Sequence, residues 1–132
     1  MALILDAGPL YAGMDRRDAD HLACRPLIEG AREGLVIPAP VLVEVDYWIH
    51  RRLTPSVFTA LLEDIRAGLF VVVDLTREDY VRVREICEQY RDADIGFVDA
   101  AVLAIAERLG EPKIATLDRR LFRMLRPATW TR

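Results

Sequence analysis

The sequence predicts an α/β fold, a mainly parallel central sheet flanked by helices on both faces. Two observations predict it. Short apolar runs at residues 2–5, 35–38, 69–74 and 113–117 alternate with longer stretches whose apolar residues recur at helical spacing. Turn or capping chemistry stands at nearly every junction between them. A third observation concerns function: Asp6, Glu44, Asp99 and Asp118 each interrupt or end an otherwise apolar segment. A carboxylate on an apolar element is costly to bury alone, and several together call for a shared cation.

The elements follow in order. Residues 2–5 form a buried strand, and Asp6-Ala7-Gly8-Pro9 reads as the turn that ends it. Asp18 or Asp20 caps a helix running through Leu22, Leu27 and Ile28 to about Glu33, with Gly34 as its stop. Residues 35–38 are a second strand. Pro40 suits the first turn of a third helix whose apolar positions are Val41, Leu42, Val45, Trp48 and Ile49. Thr54 and Pro55 open a fourth helix as N-cap and first residue, and Gly68 closes it. Residues 69–74 are the clearest strand. Thr76 to Asp79 resembles a capping box, with Asp for Glu, at the head of a helix through Val83, Ile86 and Tyr90. A polar loop at 91–96 leads to a helix from Phe97 to Leu109, stopped by Gly110. A strand at 113–117, a short helix at 119–125 and a strand at 129–131 complete the chain.

With 132 residues, the chain suits one domain spanning 1–132. A hydrophobic fraction of 52% with 30% charged residues is far from the composition of disorder. No apolar run nears the roughly 20 residues that cross a bilayer, and no basic leader precedes a cleavage site, so a cytoplasmic protein without membrane association is expected. Cys24 and Cys87 lack metal-ligand spacing and read as free thiols. The net charge of −3 argues against holding nucleic acid through a broad basic surface. It leaves room for a local basic rim around an acidic pocket.

Each acid also has a structural explanation. Asp6 could start a turn, Asp99 could favour a helix N-terminus by a few tenths of a kcal/mol to about 1 kcal/mol, and Asp118 could cap a helix beginning at Arg119. Glu44 is harder to dismiss, because it sits in the most apolar helix. Val102, Leu103 and Ala106 share the side of Asp99 and aim it inward. Asp6 and Asp118 both follow strands, at the sheet edge where ligands bind in such folds. Asp94 lies in a polar stretch, and Asp15, Asp18, Asp20 and Asp74 are assigned to surface or capping roles.

Taken in order, Leu5-Asp6-Ala7-Gly8-Pro9-Leu10, Pro40-Val41-Leu42-Val43-Glu44-Val45, Ile95-Gly96-Phe97-Val98-Asp99-Ala100-Ala101-Val102 and Ala115-Thr116-Leu117-Asp118-Arg119-Arg120-Leu121-Phe122 resemble a PIN-domain nuclease, specifically the VapC toxin of a VapBC toxin–antitoxin pair. The resemblance covers essentially the whole chain. It departs at Ala7-Gly8-Pro9, where many relatives carry a hydroxyl residue after the first Asp. It implies a PIN-like three-layer sandwich and a metal-dependent endoribonuclease that hydrolyses RNA phosphodiesters with metal-activated water. Asp6 and Asp99 would be the main metal ligands, Glu44 a ligand directly or through water, and Asp118 a fourth member, with Thr116 at the family's hydroxyl position. Hard oxygen ligands favour Mg²⁺ or Mn²⁺. The resemblance further implies a VapB-like antitoxin and a toxin homodimer. Arg119 and Arg120, beside Asp118, are candidate contacts to RNA phosphates.

Other readings carry their own requirements. Attack by the RNA 2′-hydroxyl usually needs an acid–base pair, and only His21 and His50 are available, at positions better suited to capping or solvent. A receiver-like, Mg²⁺-binding regulatory module needs a phosphorylatable Asp after a central strand, which Asp74 would supply, and acids directly after the first strand, which Asp6-Ala7 does not. An inactive PIN-like interaction domain conflicts with the complete acidic set.

Overall fold

The computed structural model describes residues 2–111, 113–118 and the backbone of 130–131. Strands β1 (Ala2–Leu5), β2 (Gly34–Pro38), β3 (Val71–Val73), β4 (Ile114–Thr116) and β5 (Trp130–Thr131) form one sheet in the order β3-β2-β1-β4-β5. Every described pairing is parallel, with Leu3 opposite Leu35, Val36 opposite Val71, Leu5 opposite Ala115, and Ala115 opposite Trp130. Residues of the central strands are apolar on both faces, as a sheet covered on two sides requires.

Helices α1 (Ala7–Met14) and α2 (His21–Glu29) link β1 to β2, and α3 (Ala39–Arg52) and α4 (Pro55–Arg66) link β2 to β3. From β3 the chain passes through α5 (Arg77–Gln89), a 3₁₀ turn at Arg91–Ala93 and α6 (Phe97–Leu109) back across the sheet to β4. Right-handed crossovers place α1–α4 on one face and α5–α6 on the other. The reversal of direction falls between β1 and β4, which makes their carboxyl ends the switch point of the sheet.

Several expectations are corrected here. Asp6-Ala7-Gly8-Pro9 is not a turn: Asp6 is the N-cap of α1, its side chain accepting from the Ala7 N–H at 2.8 Å. Pro9 is compatible because a first-turn N–H has no partner within a helix. Gly8, part of the expected turn, and Gly13 permit close packing instead. A Cβ on Gly8 would stand 3.1 Å from Leu117 Cδ1, and one on Gly13 would stand 2.8 Å from Ile28 Cδ1. Helix α2 ends at Glu29, with Gly30 rather than Gly34 behind it, and Gly34 opens β2. Leu22 is exposed instead of facing the core. Strand β3 is three residues long and lies at the sheet edge, with Val71 exposed.

The other helices form as expected. Val41, Val45 and Ile49 are fully buried at intervals of four along α3, each contributing about 1.5–3 kcal/mol of burial. Thr76 and Asp79 make both bonds of the capping box on α5, and α6 ends at Gly110 in the left-handed region at φ +64°. Neither cysteine is in a disulfide, Cys24 being buried and Cys87 half-buried. The helix expected at 119–125, with Arg119 and Arg120, lies outside the described residues. Among the described residues no helix is long and apolar enough to cross a membrane.

Candidate metal centre

The register of β1 against β4 builds the site. Leu5 pairs with Ala115, so the next residues, Asp6 and Thr116, meet at the carboxyl edge. The Thr116 hydroxyl donates to Asp6 Oδ2 at 2.9 Å and accepts from the Asp118 N–H at 3.0 Å. Asp6 and Thr116 are both buried. The carboxylate is therefore fixed at one oxygen by the α1 N-terminus and at the other by β4.

Burial pushes the Asp6 carboxyl up to about 6. The Ala7 N–H and the Thr116 hydroxyl pull the other way, and the charges of Asp99 and Glu44 add to the rise. Glu44 reaches this edge from α3 and Asp99 from the first turn of α6. Glu44 is solvent-accessible, yet its carboxyl is also raised, first by partial desolvation and then by Asp99. Asp6 and Glu44, on different elements, thus both lie in the field of Asp99. Asp118 joins them through its backbone bond to Thr116.

Among the described residues, no three acidic, His or Cys side chains already stand close enough together to hold an ion. In donor chemistry the set still fits a hard divalent cation: all the side chains offer oxygen, and the burial that chiefly raises Asp6 and Glu44, with the added charge of Asp99, is what such a cation offsets. A cavity of about 210 Å³ opens beside Glu44, lined also by Tyr11, Asp18, Trp48, Arg52 and Leu117.

The remaining candidates separate cleanly. His21 Nδ1 lies 2.8 Å from the Ala12 carbonyl and ties α2 to α1, while His50 is exposed beside Asp46 on α3. Neither is part of an acid–base pair at the carboxylates. Asp74 follows the edge strand β3, not a central one, which removes the basis of the receiver-like reading. Asp94 is exposed, in the left-handed region at φ 54°. Asp15, expected at the surface or in a cap, is buried at the C-cap of α1, where it accepts from the Tyr11 hydroxyl and the Arg17 N–H. Arg52, Trp48 and Tyr11 beside the acids were not anticipated as site residues. Their signal was the spacing Glu44, Trp48, Arg52, four residues apart on one helix.

Comparison with known proteins agrees with this architecture. The PIN domain family model matches residues 3–126. The chain is 31% identical over 125 residues to Ribonuclease VapC26 of Mycobacterium tuberculosis, covering 95% of this chain and 93% of that one. Its fold is similar to the crystal structure of VapC20 from Mycobacterium tuberculosis, described as a sarcin-ricin loop cleaving toxin, with TM-score 0.83 at 20% identity over 92% of this chain and 94% of that one. It is also similar to VapBC2 from Rickettsia felis bound to a DNA fragment from its promoter, with TM-score 0.72 at 12% identity, covering 100% and 99% of the two chains. With a switch-point carboxylate at Asp6, an acid on each of α3 and α6, and a family match along nearly its whole length, this chain belongs to the PIN-domain family, in its VapC branch.

Proposed function

We propose that this chain, as a single PIN-like domain over residues 1–132, is a metal-dependent endoribonuclease and the toxin of a type II toxin–antitoxin pair. The observation that carries the reading is the buried Asp6 carboxylate, held at both oxygens and facing two further acids whose charges raise it. The relative named as a ribonuclease supports RNA as the substrate. The similarity to a VapBC assembly supports a VapB-like antitoxin as partner. A toxin homodimer working in the cytoplasm completes the proposal.

Asp6 and Asp99 would hold the cation, Glu44 would join directly or through water, and Asp118 would be the fourth acid. Oxygen donors favour Mg²⁺ or Mn²⁺. When bound, such a cation lowers the pKa of a water and stabilises charge on the phosphodiester. The chain itself supplies position. The Thr116 hydroxyl and the Ala7 N–H fix both Asp6 oxygens, leaving the carboxylate little rotational freedom. Through the Asp118 N–H, the same hydroxyl sets the path of the chain that carries the fourth acid. Arg119 and Arg120, next in sequence, are proposed to contact substrate phosphates.

The test is incubation of total RNA with the antitoxin-free protein and with Asp6→Ala, in Mg²⁺ or Mn²⁺ and in EDTA, with mapping of product ends. Metal-dependent cleavage leaving 5′-phosphates, lost in a folded Asp6→Ala, is the expected result. Cyclic phosphates, or EDTA-resistant cleavage equal in the variant, would replace the mechanism with 2′-hydroxyl attack.

A further inference from the structure

Glu44, Trp48 and Arg52 lie on one stripe of α3 and line the same cavity. The Arg52 guanidinium carbon sits 4.5 Å from the Trp48 ring centroid and 5.8 Å from that of Tyr11. Ring faces hold it, and among the described residues it forms no ion pair. Of the nearby acids, Asp15 is engaged by the Tyr11 hydroxyl and the Arg17 N–H, and Asp18, which lines the same cavity, accepts from the Asp20 N–H. Arg52 is nevertheless exposed, so its planar fork is oriented on one side and open on the other.

Arg52 also lines a larger cleft of about 1120 Å³ between the α1–α2 and α3–α4 connections, where Arg16 and Arg17 stand together with Asp15, Asp18 and Asp20. Arg16 and Arg17 are exposed. A path therefore runs from Glu44, across Trp48 and Arg52, into a cleft of mixed charge whose exposed guanidinium groups are Arg16 and Arg17. Along the axis of α3, Glu44 and Arg52 are about 12 Å apart, so Arg52 meets a phosphate flanking the one at Glu44 and not the same one. Unpaired bases stack on aromatic rings and on arginine planes, and phosphates accept from the guanidinium fork.

We propose that this face of α3 is the track of the substrate strand, with Arg52 holding a phosphate next to the scissile one and Trp48 with the Arg52 plane receiving an unpaired base. The substrate class is a single-stranded segment of RNA. The proposal rests on the nuclease reading and extends it from the reacting phosphate to its neighbour.

The test is binding of a fluorescein-labelled, mixed-sequence single-stranded RNA of about 12 nucleotides to the antitoxin-free protein in Ca²⁺, by anisotropy between about 50 and 200 mM salt. Arg52→Gln should lower affinity roughly tenfold and flatten the log–log salt slope by about 0.7, the share of one phosphate contact on a single strand. Arg52→Lys should restore the slope but not the full affinity, because it keeps the charge and loses the planar fork. Trp48→Leu should weaken binding with the slope unchanged. The exposed position of Arg52 makes Arg52→Gln informative even where Trp48→Leu folds poorly. Wild-type affinity and slope in Arg52→Gln, alongside wild-type cleavage of total RNA in Mg²⁺, would overturn the track and leave the nuclease reading standing. Arg52-dependent binding without cleavage in Mg²⁺ or Mn²⁺ would overturn the nuclease reading and leave the track. No binding of RNA by the wild-type protein overturns the track.

Discussion

Two buried aspartates, each at the head of a helix, have opposite surroundings. Asp79, in the first turn of α5, accepts from the Thr76 N–H and forms an ion pair with Arg108 of α6 at 2.9 Å. Beside it Arg82 pairs with Glu107 at 2.8 Å, so the outer α5–α6 face compensates its acids. Asp6, at the head of α1, has an N–H, a hydroxyl and two acids within its field. Burial and helix position are common to both; the sign of the neighbouring charge divides them. A buried acid facing a guanidinium holds two helices together, whereas one facing other acids raises the energy of the metal-free fold and is positioned for a cation.

The largest effect that would break this distinction is on activity. Asp6→Ala should lower RNA cleavage on the order of 1,000-fold, the several kcal/mol that metal assistance supplies, whereas Asp79→Ala should leave cleavage per folded molecule unchanged. Equal losses of specific activity in the two variants would abolish the division of roles. In denaturant titrations the ranking should invert: Asp79→Ala removes the capping box and leaves Arg108 without its partner, costing about 2–3 kcal/mol. A change of a few tenths would show Asp79 to be dispensable.

Thr116→Val should reduce cleavage by roughly 10- to 100-fold, as loss of a group that orients a ligand does, with about 1 kcal/mol of stability. Because its hydroxyl lowers the Asp6 carboxyl, its removal should also raise that group further, readable by carboxyl-carbon NMR. A downward shift would contradict the described geometry.

The smallest effect is on pH dependence. Asp6 moves from its ordinary value of 3.8 to about 6 in the fold, so between these values the folded state holds the extra proton. As pH rises through that window the folded state must release it, and stability falls. The loss is complete above about 6 and is on the order of 1–3 kcal/mol. In EDTA, the thermal midpoint of the wild-type protein should therefore drop by a few degrees relative to Asp6→Asn between about pH 4 and 7, and divalent cation should restore it. A wild-type midpoint that rises relative to the variant over that range would show that Asp6 is stabilised in its ionised form.

Much of this organisation was legible in the residues. The acids announced themselves because Asp6, Glu44 and Asp99 interrupt or end apolar segments, and the capping box at Thr76 and the stop at Gly110 carry their geometry in their side chains. Helix α1 was not legible. Gly8 looks like part of a turn until Leu117 is seen against it, and a contact between residues so far apart leaves no local mark. The burial of Asp15 at its cap was not legible for the same reason, since it depends on how α1 packs. Arg52 escaped notice because cation–π contacts with Trp48 and Tyr11 need a tertiary structure to bring one of the rings into place.

The Thr116 hydroxyl that fixes Asp6 comes from a residue 110 positions later. In a chain emerging from the ribosome, Asp6, Glu44 and Asp99 are all made before β4 exists, and β4 must slot in beside β1 before the first carboxylate is locked. A contact of such long sequence separation forms late. Assembly of the acidic centre is thus timed by chain synthesis itself: a growing copy lacks the clamp on Asp6 until Thr116 has been made and β4 has paired with β1.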